Sequence, residues 1–373
     1  MRTNHPMNRT IRYAVIGAGN IAQVAALPAF KHAKENSELV AIISSDETKR
    51  KELSKLYNIE HTGAYEELED IIKAAQVDAV YIALPNHLHR EFTERAARAH
   101  VHVLCEKPLA LTAHDCEAMI HATRAAGVKL MTGYRLHFEE ANLSAIDLVK
   151  KGDIGEPRIF SSVFSHQVRE GDIRTQYEAG GGALYDLGPY CINAARALFQ
   201  AEPLEVSAFQ ILGTGDRFRD VDEMTSATLR FPGDRVAQFT VSQGAGAVSS
   251  YRIVGSKGDL RVDPAYEYAD AREHHLTIAE KTKSKKFAKS DQFAPELVYF
   301  SNCIQKDLEP EPSGAEGLAD VRIIEAIIRA AQSGHVVALE PFTRAKRPDI
   351  KQAMRKPAVR EPETIHAPSP TVK

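Results

Sequence analysis

The chain has 373 residues, 43% of them hydrophobic and 26% charged, with a formal net charge of −3. That length accommodates two domains, and the balance is ordinary for a soluble globular protein, with nothing to suggest a nucleic acid partner. No run approaches the roughly 20 apolar residues of a membrane span. The polar opening residues 1–10 carry no secretory signal, and Cys105, Cys116, Cys191 and Cys303 lack metal-ligand spacing. The expectation is therefore a cytoplasmic protein with reduced thiols and no metal.

After a short N-terminal extension (1–10), residues 11–133 alternate short apolar runs with amphipathic stretches. Tyr13–Ile16, Leu39–Ile43, Ala79–Leu84, Val101–Leu104 and Lys129–Thr132 read as buried strands. Asp46–Tyr57, Tyr65–Ala75, His87–Ala99 and Thr112–Ala125 read as helices, by period and by their polar starts. Such alternation implies a parallel sheet covered on both faces. A glycine turn after the first strand makes it the doubly wound dinucleotide-binding (Rossmann) fold.

Past residue 150 the texture changes. Pro157–Ser165, Leu204–Ile211, Met224–Phe231, Arg235–Val241, Tyr251–Val254 and Asp259–Val262 read as strands separated by short turns, such as Phe231-Pro-Gly-Asp-Arg235. Helices at Tyr190–Phe199 and Gly317–Gln332 should cover one face of a mainly antiparallel sheet. Residues 134–340 thus form an α+β domain, and the cleft between the domains is the natural small-molecule site. The last segment, 341–373, holds six of the 18 prolines and eight Lys or Arg against three Asp or Glu. It is expected to be a solvated extension or to dock on a partner subunit.

Gly17-Ala-Gly-Asn-Ile-Ala22 fits the G-x-G-x-x-A pattern, in which glycines let backbone amides approach a pyrophosphate at a helix start. Gly17, Gly19, Asn20 and Ile21 are thus candidate cofactor contacts. The second strand runs into Ser44-Ser-Asp-Glu-Thr-Lys-Arg50. Ser44, Lys49 and Arg50 suit an adenosine 2′-phosphate and favour NADP over NAD, with Asp46 read as the helix cap. Asn86 follows the Ala79–Leu84 strand at the cofactor edge of the sheet. His87 and His89 read as helix-start residues with no acid or thiol cluster to complete a metal site.

Lys107 ends the run Val-Leu-Cys-Glu-Lys-Pro (103–108), and Gly180-Gly-Gly-Ala-Leu-Tyr-Asp-Leu-Gly-Pro-Tyr190 brings an acid and a phenol four residues apart. Oxidising a carbinol requires removal of the hydroxyl proton as hydride leaves to the nicotinamide. The reading assigns Tyr190 as acid/base, Lys107 as the cation that stabilises its phenolate, and Asp186 as the substrate anchor. The roles of Lys107 and Tyr190 are interchangeable at this level. Tyr134, Arg135 and His137 are further candidates to line the cleft, and Arg174, in the loop before the glycine run, is a candidate to approach the cofactor or a surface arginine.

Taken together, the glycine turn, Leu84-Pro-Asn-His-Leu-His89, Cys105-Glu-Lys-Pro108, Gly133-Tyr-Arg135 and the Gly180–Tyr190 run resemble the Gfo/Idh/MocA oxidoreductase family, and within it the glucose–fructose oxidoreductases. The resemblance covers most of residues 11–340. It implies a catalytic Lys107, Asp186 and Tyr190, and adds Leu84, His89, Glu106, Lys107 and Arg135 to the cofactor contacts. It also implies a homodimer or homotetramer paired through the open sheet of the second domain. The expected activity is NADP-dependent hydride transfer to or from a sugar or polyol, such as an aldose oxidised at C1; in a variant of it the cofactor stays bound between oxidation of one sugar and reduction of another. Reduction of a keto-sugar or cyclic ketone, or a non-catalytic NADP-binding sensor, are the alternatives.

Overall fold

The computed structural model describes residues 9–372 apart from Thr214 and Ala345; positions 1–8 of the expected N-terminal extension lie outside them. The first layer comprises β1 (Ile11–Ile16), α1 (Leu27–Ala29) preceded by a π-helical turn, β2 (Ser37–Ile43), α2 (Glu47–Tyr57), β3 (His61–Gly63), α3 (Leu68–Ala74), β4 (Ala79–Ile82), α4 (His89–Arg98), β5 (His102–Glu106), α5 (Ala113–Ala126) and β6 (Leu130–Gly133). Its six strands are all parallel, in the order β3-β2-β1-β4-β5-β6. This is the doubly wound order with the switch point between β1 and β4.

Successive residues of β1 enter different cores. Tyr13 and Val15 pack with Leu27, Leu297 and Phe300, whereas Ala14 and Ile16 pack with Val80, Phe92, Val103 and Met119. A strand buried on both faces must be apolar throughout, which is why these runs do not alternate. The short β3, with only three residues, escaped the hydrophobic pattern.

The second layer comprises α6 (Glu140–Lys151), β7 (Pro157–Ser165), α7 (Ala183–Phe199), β8 (Glu205–Leu212), β9 (Asp222–Phe231), β10 (Arg235–Ser242), β11 (Val248–Gly255), β12 (Gly258–Val262), β13 (Arg272–Ile278), β14 (Lys281–Phe287), α8 (Ala294–Gln305), α9 (Gly314–Ser333) and β15 (Val337–Ala338). Nine strands run β14-β13-β12-β11-β7-β10-β9-β8-β15. All neighbours are antiparallel except β7 and β10. The inner face, including Phe160, Phe164, Phe239 and Ile253, packs on Leu184, Leu187 and Ile192 of α7 and on Ile323 and Ile327 of α9. The edge strand β14 exposes Lys281, Lys283, Lys285 and Lys286, charges that discourage pairing with another chain.

The two layers share helices. Leu318 and Val321 of α9 belong to the first layer's core, as do Leu297, Val298 and Phe300 of α8. Helix α7 begins at Ala183, earlier than the apolar period from Tyr190 suggests. Gly182 makes that start: its φ is +110°, and a Cβ there would lie 2.2 Å from Asp222 Oδ1, while Asp222 Oδ2 accepts from Leu184 N at 2.9 Å.

Contrary to the solvated or partner-docked extension expected from its composition, the tail is docked on its own chain. Arg344 pairs with Glu316 at 2.5 Å, Arg347 with Glu202 at 2.8 Å, and Met354 N donates to Phe138 O at 3.1 Å. These pairs complete a buried network around Arg196, which has no exposed surface. Its guanidinium meets Glu202 at 2.6 Å, Glu316 at 2.6 Å and Asp320 at 2.5 Å. Among the described residues no helix is long and apolar enough to cross a membrane.

Replacing Arg196 by Leu leaves, among the described residues, Asp320 buried without a cation and Glu316 with Arg344 alone. The expected cost is on the order of 3–5 kcal/mol, read as a lower thermal midpoint; Arg347→Ala, at the rim of the network, should cost much less.

Candidate active site

The turn after β1 is shaped by contact. Gly17 has φ +96°, and a Cβ there would stand 2.4 Å from Ala83 O. Gly19 is the opposite case: no protein atom lies within 4 Å of its would-be Cβ, so the turn faces open space. Open space beside a glycine turn at the carboxyl edge of the sheet is where a dinucleotide pyrophosphate would fit. Asn20 and Ile21 follow directly, Leu84 packs beside Gly17, and Asn86 Nδ2 reaches across to Gly180 O at 2.8 Å.

At the end of β2, Ser44 is buried, and its hydroxyl accepts from Asp46 N at 3.3 Å. Asp46 caps α2, its Oδ1 accepting from Lys49 N at 3.0 Å. Arg50 folds back to donate to Ser44 O at 2.6 Å. The serine, lysine and arginine expected at a 2′-phosphate therefore stand on one corner.

Two expected cofactor contacts have other partners. His89 is fully buried, with ring nitrogens 3.0 Å from Pro108 O and 2.9 Å from Leu84 O. It braces the loops after β4 and β5 from behind rather than facing a ligand. Arg135 donates to Tyr190 Oη at 3.1 Å, Gln292 Oε1 at 2.5 Å and the Tyr266 carbonyl, so its guanidinium serves the phenol. Glu106 stays at the cofactor edge: its Oε1 accepts from Tyr81 Oη at 2.6 Å, and burial raises its pKa despite that bond.

The three expected catalytic residues converge. Lys107 Nζ donates to Asp186 O at 2.8 Å and Oδ1 at 3.3 Å, and stands 4.7 Å over the Tyr190 ring centroid. Its third proton has no acceptor among the described residues. The ammonium thus meets the ring face of Tyr190, and it is Arg135 that donates to the phenolic oxygen. This corrects the expectation that Lys107 acts at that oxygen directly. Burial works against the ammonium, but Tyr190, Asp186 and Glu106 outweigh it and raise its pKa.

Asp186 is the centre of the cluster. Its Oδ2 accepts from Arg174 Nε at 3.0 Å and from Gln243 Nε2 at 3.1 Å. Burial alone would raise its pKa, yet Arg174 and then Lys107 hold the carboxyl well below the usual carboxylate range. The site is therefore a fixed carboxylate beside a fixed ammonium, with a phenol four residues along the same helix. Tyr134 and His137 lie one layer behind: Tyr134 Oη donates to Asp320 at 2.6 Å, and His137 bridges Glu311 at 3.0 Å and Asn193 at 2.7 Å.

Two residues absent from the sequence reading complete the cluster. His166 and Gln243 follow the carboxyl ends of β7 and β10, parallel neighbours whose ends lie side by side. His166 N donates to Ser242 O at 3.0 Å. His166 Nε2 and Gln243 Oε1 are buried without a partner among the described residues, a costly condition unless a ligand supplies hydrogen bonds. A polar residue immediately after an apolar strand was the available signal, but the parallel pairing that brings these two together has no local signature.

Lys107→Met should lower kcat/KM by ~10²–10⁴ while NADPH binding, followed by fluorescence titration, changes far less. Arg174→Ala removes the largest influence depressing Asp186. The acid limb of the kcat/KM–pH profile should then move to higher pH.

Residues 11–134 match the model for the oxidoreductase family with an NAD-binding Rossmann fold, and residues 143–261 match the GFO/IDH/MocA C-terminal domain. The chain is 33% identical to the D-xylose 1-dehydrogenase [NADP(+)] of Haloarcula marismortui, covering 88% of this chain and 93% of that protein. It is 31% identical to the dTDP-3,4-didehydro-2,6-dideoxy-alpha-D-glucose 3-reductase of Streptomyces violaceoruber, covering 89% and 97%. Among solved structures, the aldose–aldose oxidoreductase of Caulobacter crescentus complexed with glycerol superposes with a TM-score of 0.85 at 38% identity, covering 89% of this chain and all of that one. With both halves of the chain matched and the dinucleotide turn, lysine and aspartate in one cluster, the chain belongs to the Gfo/Idh/MocA family of NAD(P)-dependent sugar oxidoreductases.

Proposed function

We propose that the protein is an NADP-dependent aldose oxidoreductase that oxidises a pyranose at C1 and retains the cofactor to reduce a second sugar. The observation that carries the reading is the Lys107–Asp186–Tyr190 cluster, lined by unpartnered His166 Nε2 and Gln243 Oε1. A polyhydroxylated ring supplies hydroxyls for both atoms, whereas an apolar ketone leaves them unsatisfied. Similarity to the xylose dehydrogenase and the aldose–aldose oxidoreductase supports the same class. Ser44, Lys49 and Arg50 at the end of β2 support NADP.

Bound NADP supplies the hydride acceptor and, in the second half-reaction, the donor. The chain's own residues manage the proton and the orientation. Tyr190 Oη takes the C1 hydroxyl proton as a phenolate, whose negative charge before the transfer is stabilised by the Arg135 guanidinium bonded to that oxygen. The third N–H of Lys107 orients the substrate oxygen. Asp186 fixes the ammonium and, with His166 and Gln243, holds neighbouring hydroxyls. In the reducing half-reaction Tyr190 returns the proton to the carbonyl oxygen of the second sugar.

The outer face of the nine-stranded sheet exposes Ile159, Val163, Ile211, Val248 and, at 79%, Phe209. An apolar patch of this kind marks an interface, and a second copy paired through this face is the proposed assembly.

The purified, undialysed protein tests the activity. Adding glucose or xylose without nucleotide should produce the absorbance of reduced nicotinamide at about 340 nm, bleached by a second sugar. Turnover only with added NADP would make the enzyme an ordinary dissociable dehydrogenase. Reduction of keto-sugars without aldose oxidation would assign it to the reductases. Phe209→Glu should shift the protein toward monomers in size-exclusion chromatography, with its thermal midpoint little changed.

A further inference from the structure

The C-terminal segment returns to the dinucleotide turn. Gln23, itself 2% exposed, accepts from Ile365 N at 2.7 Å and donates to Ile365 O at 2.9 Å. Its Nε2 also holds Ala18 O at 2.9 Å. Asn20 Nδ2 donates to Ala367 O at 3.0 Å, and Ala367 is buried. Between them His366 adopts φ +47°, an uncommon conformation for a residue with a side chain and one that persists where neighbouring contacts fix it. Its ring Nδ1 lies 3.1 Å from Asp46 Oδ2. The segment then crosses to the second layer, where Arg169 N donates to Pro370 O at 2.7 Å and Val372 N to Gln167 O at 2.9 Å.

The anchors trace the path a dinucleotide takes: the 2′-phosphate corner at Asp46, the pyrophosphate turn at Asn20, and the loop after β7 that carries His166. We propose that residues 365–371 are a working part of the NADP site, with His366 a specificity residue for the 2′-phosphate and the segment a latch that slows nucleotide release. Asp46 stands at the corner where an NAD enzyme binds ribose with an acid and where a 2′-phosphate would be repelled. Here both of its oxygens are engaged, Oδ1 by the Lys49 amide and Oδ2 by His366. The carboxylate has no proton to give, so the imidazole N–H is the donor, and the oxygen that would face a phosphate is covered. For the nucleotide to leave, the contacts from Ile365 to Thr371 must open, which ties the segment to the retained-cofactor reading above.

The test uses the full-length protein, His366→Ala, Ile365→Pro (which removes the N–H donated to Gln23) and a chain ending at Pro362. NADPH dissociation from the loaded protein is followed by fluorescence after a chase with excess NADP. The truncation and Ile365→Pro should raise the dissociation rate by ~10-fold or more. His366→Ala should lower the NADPH-to-NADH affinity ratio by roughly threefold or more, the scale of one exposed charge interaction. Wild-type release rates in a truncated protein with an unchanged thermal midpoint would overturn the latch, and an unchanged ratio in His366→Ala would overturn the specificity role. Should the truncation fail to fold, Ile365→Pro decides the latch. If the full-length protein prefers NADH, the NADP reading fails on that measurement alone, and the latch is still judged by release of NADH.

Discussion

The arrangement depends on a carboxylate largely removed from water. Asp186 enters the interior on the first turn of α7, and an unpaired charge there would be strongly destabilising. Three elements answer it. Lys107 comes from the end of β5 in the first layer, Arg174 from the loop before α7, and Gln243 from the end of β10. None of these is a sequence neighbour of another, so the pairing that neutralises Asp186 also fixes the second sheet against the cofactor edge of the first. Tyr190 is set by the same helix, and its ring lies beneath the ammonium. Orientation of the reacting groups is therefore a by-product of solving the burial of one charge.

The same solution is repeated behind the site on a larger scale. Arg196, Glu316 and Asp320 are buried together, and Asn193 and Tyr134 carry the network forward to His137. Asn193 donates its amide N–H to two acids, so its oxygen faces His137, which must then donate from both ring nitrogens; Glu311 raises its pKa against the effect of burial. Arg344 and Arg347 close the network from the tail. Part of the basic character of residues 341–373 thus has a destination inside the fold: Arg344 pairs with Glu316 of α9 and Arg347 with Glu202, just past the end of α7.

Much of this was legible because it follows from period and turn chemistry. The buried strands of the first layer, the glycine turn and the Asp46 and Thr112 caps lie where apolar runs and polar starts placed them. Lys107, Asp186 and Tyr190 came from motif resemblance joined to the proton-transfer requirement, and the fold brings the three into contact. What was illegible depends on long-range pairing. His166 and Gln243 meet only because β7 and β10 run parallel in an otherwise antiparallel sheet. Arg135 was placed at the cofactor by the family resemblance, yet it donates its three bonds to Tyr190, Tyr266 and Gln292, far along the chain. Composition misled at the tail, where proline and charge describe the average of a segment and not its contacts. Helix α8 went unread for the related reason that its apolar face, with Leu297 and Phe300, covers a sheet some 280 residues earlier.

The proposed retention of the cofactor would impose opposite demands on the two ends of its site. Sugars must enter and leave at the nicotinamide end in every half-reaction, whereas the adenosine end must stay closed for many cycles. The chain distributes its contacts accordingly. Near the substrate, His166 and Gln243 keep polar atoms unsatisfied, a local destabilisation that a ring of hydroxyls relieves and that therefore favours binding and exchange of sugar. At the turn, Gln23, Asn20 and Asp46 are engaged by the last residues of the chain. The segment 365–367 suits this task because its contacts fall on the dinucleotide turn and on the corner at the end of β2. Its entropic cost is offset where each anchor is a residue already fixed by the dinucleotide fold.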